Sequence, residues 1–417
     1  MIRGGASVSE EAKVLLIGID QVEQGMHVGA PIMHPRAPGM SALQPGAKLN
    51  GAIIARLRSL GISQLWVEDD LTADLDAAVA PGLTMAKLEL YSHLKRDLTQ
   101  ISRQTISTTQ IRFYREAVRG LVRELVATGK VAGLTDQMFA SETELFSHST
   151  NVAYLAILVG LELESYLIHE RPRVSARRAR DVANLGLAGM LHDLGKVGLS
   201  SNAQGIHEVL GRDEDREGID YDRHPVVGYK MLVDAGVPTT ARHAVLHHHQ
   251  RFDGSGWPDM AKLTRGRVRE PQAGRRIHVF TRIVAAANVL DNLLSGADGN
   301  QRPPVAALHD FADSQFDGWF DPVVRLAVLR RIPPFAVGSQ VRLSDGQSAV
   351  VIAPNLRQPC RPTVRLLHRS PQPSELPHTT LNLVDHRALH ITAYAGVDVE
   401  KWLFELPAET AWRPASC

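Results

Sequence analysis

The chain has 417 residues, 44% of them hydrophobic and 22% charged, a balance typical of folded soluble proteins and unlike disordered or membrane-embedded ones. Its 46 basic and 45 acidic side chains leave a net charge of +1, so no global field recommends DNA or an anionic membrane as a partner. The length exceeds a single small core and suggests two or three folded units, and the only cysteines, Cys360 and Cys417, are too few for a disulfide framework, which points to a reducing, cytoplasmic compartment.

The N-terminus lacks the charged-then-apolar order of a secretory signal. Val14 to Ile17 and Leu65 to Val67 are β-rich runs, with a helix predicted over Ile53 to Leu60 and Gly/Pro punctuation between Pro31 and Gly46. Residues 1–75 therefore read as a small α/β or β module with a regulatory or structural role. Residues 76–132 follow as a helical connector: no proline interrupts Thr84 to Lys130, and Val118, Leu121 and Leu125 recur at helical steps. Such a stripe fits a solvated connector and a homodimerising or signal-transmitting helix equally well.

Residues 133–335 read as a predominantly helical domain, with the strongest helices over 142–168, 181–194, 224–235, 238–249 and 275–294. Its most apolar stretch, Val152 to Ile168, is interrupted by Glu162 and Glu164 and falls short of the roughly 20 apolar residues of a membrane span, which predicts a buried helix. The basic run Arg173 to Arg180 reads as a solvated loop and helix start. After Pro333 and Pro334 the texture changes to strands, Gln340 to Leu343 and Ser348 to Ile352 turned at Asp345-Gly346, then Val364 to Leu367. Residues 336–417 are thus expected as a small C-terminal β extension and tail, and the whole as a mainly α protein with a flanking module at each end.

The residues suited to chemistry lie in the helical domain. His192-Asp193 ends the apolar run Leu185 to Leu191, which places an imidazole and a carboxylate at a core edge where unpaired polar groups are costly. Glu144 and His148 stand four residues apart and share one helix face. His224 precedes Pro225 at a helix start, and His247, His248 and His249 sit together near the end of another helix. Singly, each is more often a satisfied or exposed side chain than a ligand. Together, histidines in apolar helices alongside carboxylates favour a site for iron, manganese, zinc or a related ion.

The order Glu144-x3-His148, His192-Asp193-Leu-Gly-Lys196, His224-Pro225, His248-His249-Gln250-x2-Asp253-Gly-Ser-Gly-Trp257-Pro258 and Arg282-x5-Asn288-x2-Asp291 resembles the HD-GYP phosphodiesterases over about half of the chain. The resemblance implies a helical HD-type phosphohydrolase domain that hydrolyses the bacterial second messenger cyclic di-GMP to pGpG and, in some members, on to GMP. It implies two divalent ions, iron or manganese, and a third in some relatives. Asp193 would bridge two ions, with His148, His192 and Asn288 on one and His224, His248 and His249 on the other. Glu144 stands where a carboxylate supports the third. Lys196 would meet the scissile phosphate, with Asp291 and Arg302 as further substrate contacts.

The pattern departs from the family at four places. Asn288 replaces the usual aspartate ligand, Gln250 a frequent glutamate and Trp257 the usual tyrosine, while the family's Arg-Pro-Tyr-Arg motif is reduced to Arg302-Pro303-Pro304. The neutral Asn288 should weaken one ion and alter the basicity of the bridging water. Two alternatives to an active enzyme on cyclic di-GMP follow: a weakened domain that binds the nucleotide or a signalling partner such as a diguanylate cyclase, and a phosphohydrolase for another nucleotide.

Overall fold

The computed structural model describes residues 14–33, 41–72, 75, 81–98, 106–127, 144–200, 223–259, 272–295, 301–367 and 379–406. The expected boundary at 132/133 and the tail with Cys417 lie outside these residues.

The N-terminal module is a β-ribbon braced by a helix. Strands β1 (Val14–Gly18) and β4 (Gln64–Glu68) pair antiparallel, a short β2 (Ile32–Met33) and β3 (Ser41–Leu43) pair beside them, and α1 (Gly51–Ser59) lies between β3 and β4 in the chain. Asn50 caps α1 by accepting from the Ile53 backbone N–H at 2.9 Å, one of the donors a helix start leaves unpaired.

Two helices follow, α2 (Pro81–Leu98) and α3 (Thr108–Ala127). They occupy the segment read as a connector, yet their stripe is internal: Leu90, Leu94, Tyr114, Val118, Leu121 and Leu125 are fully buried in one core with the helices that follow. Those are α4 (Glu144–Glu162), α5 (Glu164–Glu170), α6 (Ala176–Ala179), α7 (Ala183–Leu191), α8 (Leu194–Ser200), α9 (His224–Val233), α10 (Thr239–His247), α11 (Val279–Leu294), α12 (Pro304–Ala312) and α13 (Pro322–Arg331). Helices α4, α7 and α11 pack against one another at the centre and are apolar on almost every face, as helices buried on all sides must be. The apolar stretch expected as a single helix breaks at Leu163, where α4 and α5 meet at 86°. The bend brings Tyr166 and Glu170 of α5 to Arg282 of α11. Among the described residues no single helix is long and apolar enough to cross a membrane.

The C-terminal sheet is antiparallel throughout, in the order β10-β9-β5-β6-β7-β8, formed by β5 (Gln340–Leu343), β6 (Ser348–Ala353), β7 (Thr363–Leu366), β8 (Thr380–Asn382), β9 (Ile391–Tyr394) and β10 (Val397–Asp398). The Asp345-Gly346 turn forms as expected: Gly346 takes φ +85°, a conformation that favours glycine, and Asp345 accepts from the Gln347 N–H at 3.0 Å. The two end modules also share a core. Leu16 N–H donates to Gly338 O at 2.8 Å, and Val14, Leu16 and Trp66 are buried with Phe335, Val341 and Val351. Both expected β modules are therefore present, but they form one unit despite lying at opposite ends of the chain.

Candidate metal centre

Four helix ends and two helix interiors converge on Asp193. The buried helix α7 finishes at Leu191, so His192 and Asp193 fall in the link to α8, and the Lys196 N–H bonds back to Asp193 O at 2.9 Å. Helix α8 then crosses the start of α9 so closely that a Cβ on Gly195 would lie 1.9 Å from His224 O. Only glycine permits that approach, and it brings His224, the first residue of α9, beside Asp193. His248 follows the last turn of α10, with His249 next to it. His148 projects from α4, and Asn288 and Asp291, three residues apart on one face of α11, both reach it.

The distances define two half-sites that share one carboxylate. Asp193 Oδ1 lies 3.1 Å from His224 Nε2 and 3.6 Å from His248 Nε2. Asp193 Oδ2 lies 3.2 Å from His192 Nε2, 3.6 Å from His148 Nε2 and 2.8 Å from Lys196 Nζ. One group of ligand atoms, from Asp193, His224, His248 and His249, lies within 4.8 Å of one another, and a second, from His148, His192 and Asp193, does so as well. Asn288 Oδ1 joins the second at 2.9 Å from His148 Nε2.

The donors face one another in a way that protein hydrogen bonds alone do not satisfy. His248 Nδ1 donates to Val245 O and His192 Nδ1 to Gly189 O, both at 2.8 Å, which assigns each ring the tautomer with a bare Nε2. His224 Nε2 meets His248 Nε2 at 3.2 Å and His249 Nε2 at 3.3 Å, and a single ring proton cannot serve both contacts. Both oxygens of Asp193 are buried without a well-directed hydrogen bond. Lone pairs and a carboxylate converging in a buried site need a cation between them.

The electrostatics agree. Burial pushes the His248 imidazole down to about 3, and burial with the neighbouring His248 and His224 holds His249 well below its ordinary value, so both stay neutral donors. Burial opposes the charge on Asp193, yet His192 and Lys196 beside it keep the carboxyl well below the usual carboxylate range. At His148 burial pulls the pKa down, but the 2.7 Å hydrogen bond and charge of Asp291 more than offset it and raise it, marking a place where positive charge is favoured. Neutral imidazoles with a carboxylate and an amide oxygen fit a divalent metal ion.

The other expected residues fall as follows. Glu144 opens α4, but its side chain lies outside the described residues. His247 is turned away, its ring 6.2 Å from His243 and absent from both ligand groups. Arg302, expected at the substrate, bonds instead to Asp310 at 2.7 Å and to Leu293 O at 3.2 Å. Asp291, also expected there, is buried behind His148 as its hydrogen-bond partner. The i, i+3 spacing to Asn288 was the available signal for that role. Trp257 stacks on His249 at 3.9 Å and meets His224 edge-on at 5.5 Å. Gln250 donates to Pro258 O at 2.7 Å, tying the glycine-rich loop to the end of α10.

A family profile described as the HD domain matches residues 145–293, which hold every ligand candidate except Glu144. The cyclic di-GMP phosphodiesterase PA4108 of Pseudomonas aeruginosa is 26% identical over 361 residues, covering 80% of this chain and 80% of that protein. The cyclic di-GMP phosphodiesterase response regulator RpfG of Xanthomonas campestris pv. campestris is 32% identical over 152 residues, 36% of each. A solved structure, Bd1817, a HDG"Y"P protein from Bdellovibrio bacteriovorus, superposes with a TM-score of 0.41 at 12% identity, covering 76% of this chain and 98% of that one. Residues 145–293 thus match the HD domain, and the chain is similar to proteins named as cyclic di-GMP phosphodiesterases, the class that its motif order implied.

Proposed function

We propose that this protein is a metal-dependent phosphodiesterase that opens cyclic di-GMP to pGpG, and to GMP where the second phosphodiester is also cleaved. The observation that carries the reading is the convergence on Asp193 of five imidazoles with an amide oxygen behind them, in two groups of metal-ligand spacing. The named activity of both curated relatives supplies the substrate.

Asp193 would bridge the two half-sites, with His148, His192 and Asn288 holding one ion and His224, His248 and His249 the other. Two divalent ions in such a centre, iron or manganese, supply Lewis acidity and lower the pKa of a water. The chain's own part is positioning and charge. Lys196, 12% exposed at its side chain, stands at the rim of the cluster with a cation directed inward, suited to offset charge on a phosphate oxygen. The hydrogen bonds from His192 and His248 to backbone carbonyls fix the ring tautomers in advance. Water adds to phosphorus, the phosphorus–oxygen ester bond breaks, and the leaving ribose oxygen takes up a proton. The low cysteine count fits a cytoplasmic setting.

Anaerobic turnover of cyclic di-GMP with manganese or ferrous iron, with products separated by chromatography, tests the reading. Linear pGpG appearing only with metal is the expected result. Metal uptake without any turnover would instead favour the binding-module alternative that Asn288 raises.

A further inference from the structure

The two half-sites are not equivalent, and the difference lies in this chain's own residues. On the Oδ1 side of Asp193 stand three imidazoles, His224, His248 and His249. They are held in place: His248 by its bond to Val245 O and His249 by the face of Trp257 stacked at 3.9 Å. On the Oδ2 side stand two imidazoles, His148 and His192, and the neutral amide of Asn288. There the bridging oxygen is shared with Lys196 Nζ at 2.8 Å.

These terms have a sign. An amide oxygen is a weaker donor to a transition metal than an imidazole. An ammonium at 2.8 Å from a shared carboxylate oxygen draws off its charge and repels a second cation beside it. One feature opposes this: Asp291 lies 2.7 Å from His148 Nδ1 and makes that imidazole a stronger ligand. Its negative charge and the positive charge of Lys196 offset one another, which leaves the amide in place of an anionic or imidazole ligand as the uncompensated difference.

Resting on the two-ion reading above, we infer that the half-site of His224, His248 and His249 fills first and tightly, while the half-site of His148, His192 and Asn288 fills second and weakly. The resting protein then holds one ion, and the second is an exchangeable activator through which divalent-metal supply sets the activity. The full metal-stripped chain titrated with manganese alone, followed by calorimetry and by the electron paramagnetic resonance of free manganese, tests this independently of turnover. Two classes separated by at least about tenfold are expected. Asn288→Asp should tighten only the weaker class, by about tenfold or more, and His249→Gln should weaken only the tighter one, with circular dichroism verifying that each variant is folded. Two equal classes in the wild type, or Asn288→Asp acting on both alike, would overturn the inference and leave the phosphodiesterase reading intact. Absence of any manganese binding would overturn both, whereas unequal classes without cyclic di-GMP turnover would sink only the functional reading.

Discussion

Around Arg282 each buried charge is matched, whereas around Asp193 acceptors face acceptors. Arg282 reaches Glu170 and Asp321, donates to Tyr166 Oη at 2.9 Å and to Ile277 O at 2.9 Å, and Tyr166 donates in turn to Asp321 at 2.7 Å. Burial works against the charge of Glu170, but its bonds to Arg275 and Arg282 hold its carboxyl below the usual range. Asp321 also caps α13 by accepting from Val323 N–H at 2.9 Å. Both clusters sit in the same helical body and both use α11. The first is closed and ties α5, α11 and α13 together; the second leaves its lone pairs directed at one another, at metal-ligand spacing. A buried polar group that is fully paired speaks for architecture, and one that is systematically unpaired speaks for a ligand.

The strongest way to break this distinction is Asp193→Ala. If the open cluster is the catalytic centre, hydrolysis of cyclic di-GMP should fall by on the order of a thousandfold or more, beyond the 10–100-fold typical of losing an outer partner. The metal-free variant should stay folded, melting somewhat lower for want of the Lys196–Asp193 ion pair. Retained turnover would mean that the cluster is not the active centre.

Arg282→Met should do the reverse. It leaves Asp321 without its cation and Glu170 with Arg275 alone, and losing one member of a buried ion network costs about 3–5 kcal/mol, read by urea unfolding. Adding Glu170→Gln and Asp321→Asn should recover part of that, since asparagine can still cap α13. A fully stable Arg282→Met would show that the cluster contributes nothing to the fold.

Asp291→Asn probes the border between the two kinds of site, for Asp291 is a buried carboxylate whose one bond shown here serves a ligand. The amide can still accept from His148 but carries no charge. Manganese affinity at the half-site containing His148 should fall roughly 10–100-fold, with little change in unfolding midpoint. A large loss of stability with unchanged metal binding would instead place Asp291 with the closed network.

Much of this was legible in the chain and some was not, for definable reasons. Period-2 and period-3.6 patterns located β1, α1, α7, α9, α10 and α11, because each buries one face or all of them. The order of candidate ligands was legible because His192-Asp193 ends the apolar run Leu185 to Leu191, His224 precedes Pro225 at a helix start, and His247 to His249 follow apolar Ala244 to Leu246. The bend at Leu163 was not, because it serves Arg282, more than a hundred residues away. Helices α12 and α13 lie within the expected helical domain but were not among its strongest periodic segments; their signals are Pro304 and Pro322 in the first turns and Asp321 as a capping residue. Arg302-Pro303-Pro304, a reduced substrate motif by the resemblance, leads directly into α12. The union of β1 with the C-terminal sheet joins two ends of the chain that carry no mutual signal.

The smallest expected effect concerns acid. Burial pushes His247 and His278 down to about 4, with the nearby charges of Arg171 and Arg282 adding to the effect at His278. In the unfolded chain such imidazoles take up a proton near 6.5, so above that pH they lend their full share of stability, and they lose it as pH falls toward about 4. His148, whose pKa is raised, works in the opposite direction: its share is complete below 6.5 and fades as pH rises through its folded value. With the lowered groups in the majority, the metal-free protein should melt at lower temperature at pH 5 than at pH 7. His278→Asn isolates one contributor, because His278 caps α11 by accepting from Phe280 N–H at 3.1 Å, a role asparagine can take over without titrating. The variant should show a shallower fall of melting temperature between pH 7 and pH 5. An unchanged slope would separate the acid sensitivity from His278 and the closed network it borders, leaving His247 and the imidazoles of the open cluster to carry it.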